Sequence, residues 1–160
     1  MTAPLDRTGG PAASPREARD PGQGSEPPLR GIRVVELAGK GPSQLGAMVL
    51  ADLGADVIRV DRRSAVDRPL ASYDPRLDLL NRGRRSLALD LRREDGVRLF
   101  LKLVATADAV IDPFRPGVTD RLGIGPAACH DVRPELVYAR MTGWGADGPY
   151  ADTAGHDINF

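Results

Sequence analysis

The chain has 160 residues, with 22 basic and 22 acidic side chains and a formal net charge of zero. No global field therefore draws it to nucleic acid. Its one cysteine, Cys129, excludes an intrachain disulfide framework and a cysteine-based zinc site. With no apolar run near the ~18 residues that a membrane span needs, a soluble, cytoplasmic protein is expected.

Residues 1–28 alternate Pro4, Pro11, Pro15, Pro21, Pro27 and Pro28 with glycine, serine and charge. Such a segment buries too little apolar surface to offset its ordering entropy, so a disordered tail is expected there. It has no apolar core of the kind a signal peptide needs. From Leu29 onward, short apolar runs alternate with helical periodicity. The β-branched run at 32–37 predicts a strand, closed by Gly39 and Gly41. Leu45, Met48, Val49 and Leu53 predict the apolar stripe of a helix that opens at Pro42 and stops at Gly54. Residues 56–61 predict the second strand, hence a parallel βαβ unit. Residues 62–85 fit neither pattern and read as a polar excursion at the strand ends. A strand at 86–90, a helix from about Glu94 to Thr106 on Val97, Phe100, Leu101 and Val104, and a strand at 109–111 follow. One helical segment over 119–130 then leads to a last strand at 136–140. Five strands with three helices between them predict an open, Rossmann-like parallel α/β sheet with helices on both faces.

Ligands of such sheets bind at the carboxyl ends of the strands. The turn Gly39-Lys40-Gly41-Pro42-Ser43-Gln44 lacks the third glycine of a dinucleotide fingerprint. Pro42 also removes an N–H that a pyrophosphate would need, which argues against Asp61 as a ribose-binding acid. Arginines are the stronger sign. All basic residues except Lys40 and Lys102 are arginine, and Arg62, Arg63, Arg82, Arg84, Arg85, Arg92, Arg93, Arg115 and Arg121 fall near predicted strand ends. Guanidinium groups converging from several strands suit a polyphosphate, whereas each one alone reads as a solvated surface charge. Cys129 reads as a small buried apolar residue, with a nucleophilic role beside His130 as the alternative. His156 follows a glycine-rich loop and precedes Asp157, a setting that suits either acid–base work or simple packing of the loop. Groups of this kind at the very end of the sequence look like the front half of an enzyme.

Four segments carry a resemblance. They are 33–38 (RVVELA), 52–61 (DLGADVIRVD), 115–123 (RPGVTDRLG) and 138–145 (YARMTGWG). Together they resemble the family III CoA-transferases (CaiB/BaiF), and 154–159 (AGHDIN) resembles the α-methylacyl-CoA racemase branch of that family. The resemblance runs from Leu29 to Phe160 and implies that this stretch is the N-terminal part of a CoA-binding α/β domain, incomplete relative to the family. It implies an acyl-CoA thioester as substrate, coenzyme A as part of that substrate, no prosthetic group and no metal. CoA contacts are implied at Arg62, Leu89, Asp90, Leu91, Arg92, Phe114, Arg115, Arg121 and Gly155. The catalytic set implied is His156, Arg121 and Asp157, with His156 as one of two acid–base groups acting on opposite faces of the α-carbon and Asp157 orienting its ring. The second acid–base residue of the racemases, an aspartate, and the aspartate nucleophile of the transferases both fall beyond residue 160. The expectation is therefore a racemase-like isomerase of lipid metabolism whose first 160 residues alone are inactive. The alternatives are a CoA-transferase and a non-catalytic CoA-binding remnant. For the whole family protein the resemblance implies an interlocked homodimer.

Overall fold

The computed structural model describes residues 26–39, 41–62, 78–153 and 155. The element order is β1 (Arg33–Leu37), α1 (Pro42–Asp52), β2 (Asp56–Arg62), a 3-10 turn (Leu79–Asn81), β3 (Arg85–Leu89), α2 (Glu94–Val104), β4 (Ala109–Asp112), α3 (Val118–Arg121), α4 (Pro126–Val132) and β5 (Val137–Arg140). The five strands form one sheet in the order β3-β2-β1-β4-β5. Every pairing is parallel, with Val35 beside Ile58 on one side and Val110 on the other. The expected strands at 32–37, 56–61, 86–90, 109–111 and 136–140 are all present within a residue or two. The tail expected over 1–28 lies outside the described residues up to Ser25, and Arg63 and most of the excursion lie outside them too.

The sheet separates two apolar layers, as a parallel sheet covered on both faces requires. On one face Val35, Leu37, Val60 and Val110 pack with Phe100 and Val104 of α2 and with Ile124, Cys129 and Leu136. On the other, Val34, Val57 and Ile111 pack under Ala47 of α1.

Two helical expectations need correction. Met48 is buried, but Leu45, Val49 and Leu53 lie 40–50% exposed, and α1 instead buries Ser43 and Ala47. Small residues on that face let the helix axis approach the sheet, while Leu45, Val49 and Leu53 look outward. The single helix expected over 119–130 is two short ones. Gly123 sits at φ +71°, in the left-handed region, and a side chain on Gly125 would collide with Asp120, so the chain turns there to start α4 at Pro126. The remaining stops agree: Pro42 opens α1, and Gly54, at φ +97°, follows its last turn.

Two glycines carry close packing near the strand ends. A Cβ on Gly39 would strike the ring of Pro113, so the crevice between the ends of β1 and β4, where the chain order reverses, is closed by that ring against the Gly39 backbone. A Cβ on Gly96 would strike the carbonyl of Asp90, and its absence seats the first turn of α2 on the 90–92 segment.

Candidate functional site: a cationic cavity at the strand ends

A cavity of about 340 Å³ opens beside that closed crevice. It takes Ala38 from the end of β1, Val60, Asp61 and Arg62 from β2, and Leu89, Asp90, Leu91 and Arg92 from β3 and the turn after it. Phe114 comes from the loop after β4, and Val118, Arg121 and Leu122 from α3 and its end. Apart from the α3 residues, the contributors stand at or just past the ends of parallel strands, which is why residues distant in sequence share one wall.

The floor is apolar and the rim cationic. Leu89 and Val60 are buried. Arg62 lies over the ring of Phe114, with its guanidinium carbon 5.5 Å from the ring centroid, a cation–π distance. Among the described residues, no carboxylate pairs with Arg62, Arg92 or Arg121. Asp61 is engaged by Arg59, whose Nε donates to it at 3.1 Å, and Asp90 accepts the Arg92 backbone N–H at 3.1 Å. The rim therefore offers three guanidinium groups to a ligand.

Four other arginines near strand ends have partners of their own. Arg82 is paired with Asp52 at 2.5 Å, Arg85 with Asp56 at 2.5 Å and Arg93 with Asp95 at 3.1 Å. Arg84 is almost wholly buried and donates to Glu36, a fully buried carboxylate on the central strand. Burial pushes the Glu36 carboxyl above its ordinary range, against the opposing pull of Arg84. Of the arginines grouped by sequence, Arg62, Arg92 and Arg121 thus face the cavity, Arg82, Arg84 and Arg85 tie elements together, and Arg93 pairs locally at the first turn of α2.

The implied CoA contacts are distributed accordingly. Arg62, Leu89, Asp90, Leu91, Arg92, Phe114 and Arg121 share the cavity wall, and Arg115 and Gly155 do not line it. Gly155 is half-buried beyond the loop that follows β5, and His156 and Asp157 lie outside the described residues. Cys129 is buried with its Sγ 3.3 Å from the carbonyl oxygen of Ile124, and burial pushes the thiol up to about 11, so it serves as core. His130 is spent on the loop before β5, its Nε2 lying 3.1 Å from the carbonyl of Leu136.

One residue behind the wall carries no signal in the sequence. Asp112 ends β4, is 2% exposed, and accepts from the backbone N–H of Phe114 at 2.9 Å and from Thr119 Oγ1 at 2.8 Å. Tyr138 Oη lies 3.2 Å from the same carboxylate and 3.2 Å from the carbonyl of Ile124, so its one proton is shared. Burial foremost pushes the Tyr138 phenol well above its usual range. A short strand ending in aspartate looks like a surface stop, and only the return of β5 beside β4 puts it inside.

A family model for CoA-transferase family III matches residues 29–160. The chain belongs to that family. Among family III relatives, it is 46% identical to α-methylacyl-CoA racemase of Mus musculus over 132 residues, which are 82% of this chain and 32% of that protein. It is 37% identical to succinate–glutarate CoA-transferase of Agrobacterium fabrum, over 82% of this chain and 36% of that one. The crystal structure of a CAIB/BAIF family protein from Brucella suis superposes with a TM-score of 0.73 at 36% identity, covering 83% of this chain and 38% of its own. The chain spans about a third of the length of the relatives it matches.

Proposed function

We propose that the cavity holds the phosphate-bearing end of an acyl-CoA, and that the whole protein is a racemase acting at the α-carbon of a 2-methylacyl-CoA thioester. The observation that carries the first half is the rim of Arg62, Arg92 and Arg121, three guanidinium groups with no carboxylate partner among the described residues, over an apolar floor. CoA brings a diphosphate and a ribose 3′-phosphate, and guanidinium forks match phosphate oxygens bidentately. At about 340 Å³ the cavity lies at the small end of ligand pockets, ~300–1,000 Å³, which suits part of a CoA and leaves the thioester to reach along the strand ends.

Support for the racemase half comes from the 46% identity to a protein of that name and from the His156-Asp157 pair in the sequence. The α-proton of a thioester is weakly acidic, so a base must remove it while donors stabilise the enolate oxygen. In this reading His156 is that base, Asp157 orients its ring, and an amide near Gly155 faces the enolate. The reading also requires a second acid–base group, acting on the opposite face of the α-carbon. The transferase-named relatives support a second reading, CoA transfer between carboxylic acids.

The two halves are tested separately. Titrating the 160-residue chain with CoA in a calorimeter should show binding that weakens with salt. Replacing Arg62, Arg92 or Arg121 with Ala should cost about tenfold or more in affinity each, since a hydrogen bond to a charged group is worth ~1.5–3 kcal/mol. Equal affinity in all three variants would remove the cavity from consideration. The whole protein, given (2R)-2-methylacyl-CoA in deuterated water, should incorporate deuterium at the α-carbon without acyl exchange to added free acids. A His156→Ala form should lose roughly 10²–10⁴-fold in kcat. Acyl exchange without α-deuteration would decide for the transferase.

A further inference from the structure

We infer that Asp112 is a positioning residue of this cavity, fixing two of its three cationic groups, Arg62 and Arg121, from behind before any ligand arrives. The inference rests on reading the cavity as a CoA site. Asp112 closes β4, is 2% exposed, and touches none of the space the ligand would fill. Its Oδ1 accepts the N–H of Phe114, which turns the chain sharply after the strand and aims the Phe114 ring at the end of β2. That ring carries Arg62. Its Oδ2 accepts from Thr119, a residue 1% exposed in the short helix α3, whose last residue is Arg121.

One carboxylate thus links the support of Arg62 to the helix of Arg121, and Tyr138 on β5 adds a second donor to Oδ2. A third arginine helps keep the charge in place, since Arg140 Nε stands 3.9 Å from Oδ2. The arrangement needs a carboxylate. Two oxygens accepting from opposite sides hold two segments at once, and no neutral side chain of that size accepts on both oxygens without donating. A buried charge supplied with several donors is held rigidly, because losing any one donor leaves it under-solvated. The neighbouring backbone keeps the same order, with the N–H of Met141 donating to the Asp112 carbonyl at 2.8 Å.

The test is calorimetric titration of the 160-residue chain with CoA, with the Phe114 amide followed by NMR hydrogen exchange. Asp112→Ala should weaken CoA at least tenfold and accelerate exchange at Phe114. Asp112→Asn keeps an oxygen for Phe114 and should fall between. Val110→Ala removes core volume from the same strand and serves as the control for general loosening. It should lower the melting temperature and leave the CoA Kd within threefold. The inference is overturned if folded Asp112→Ala binds within threefold of the parent, or if Val110→Ala weakens binding as much at equal loss of stability. Should Asp112→Ala fail to fold, Thr119→Val decides, with a threefold or greater rise in Kd expected and an unchanged Kd overturning it. Absence of CoA binding by the parent chain would overturn the cavity reading itself, whereas normal binding with inert Asp112 variants overturns only the role of Asp112.

Discussion

At Cys129 the chemistry is decided by surroundings rather than by residue type. A free thiol titrates near ~8.5 and reacts as its thiolate, whereas this one is fully buried and pushed up to about 11. Alkylation by iodoacetamide at pH 8 should therefore run about 10²-fold slower in the folded chain than in urea. Comparable rates in the two states would show that the thiol is accessible. Glu36 gives a pH-dependent counterpart. Burial raises its folded carboxyl above the unfolded range, so folding favours its protonated form. Stability from this group is complete below the unfolded value and is lost as pH rises through the folded one. Glu36→Gln, a neutral isostere, should accordingly compare more favourably with the parent at pH 8 than at pH 4.5. Urea denaturation of both proteins at the two pH values measures that difference, and a difference independent of pH would contradict it.

At the scale of elements, β1, β2 and β4 were legible because each is a largely buried β-branched run, whereas the exposed edge strands β3 and β5 showed only as short apolar stretches between helical segments. Helix α2 was legible as well, since Phe100 and Val104 are both large and inward. Helix α1 misleads because Ser43 and Ala47, two of its three buried residues, are small, while Leu45 and Val49 point out. The arginine group shows the same limit for the site. Strand ends can be counted along a sequence, but Arg84 is neutralised by a carboxylate 48 residues away, and only the sheet order brings them together. Asp112 stayed invisible for that reason, and His156 and Asp157 are outside the described residues. The two close-approach glycines yield a prediction at this scale. Gly39→Ala and Gly96→Ala should each destabilise by about 1–3 kcal/mol, the usual cost of overpacking, because the obstacles are a proline ring and a backbone carbonyl. Gly96→Ala should in addition weaken CoA, since it displaces the segment carrying Arg92, whereas Gly46→Ala, with open space around it, should do neither. Thermal melts with CoA titrations on the three variants check this.

Taken whole, the chain spans about a third of its relatives and shows much apolar surface. Leu45 and Val49 on α1, Leu99 on α2 and Val137 on the edge strand β5 are each 44–63% exposed. A groove of about 840 Å³ with an apolar floor of Val97, Leu101, Ala105 and Val132 adjoins the cavity along α2. The 160-residue chain should enhance the fluorescence of an apolar dye such as anilinonaphthalene sulfonate more, per mole, than the whole family protein does. Equal or lower enhancement would mean that these faces are covered within the chain. The strand order has a further consequence in time. β1 is made first and lies at the centre, with β2 as one neighbour and β4 as the other. The backbone N–H of Arg33 waits for Asp108, 75 residues later. At ~5–20 residues per second, that edge of β1 stays open for roughly 4–15 s of synthesis. During that interval a hydrophobic strand exposes unpaired amides to any passing chain. The nascent protein is thus most vulnerable before β4 has been translated, and a pause in translation between β2 and β4 should lower its soluble yield more than a pause after β4.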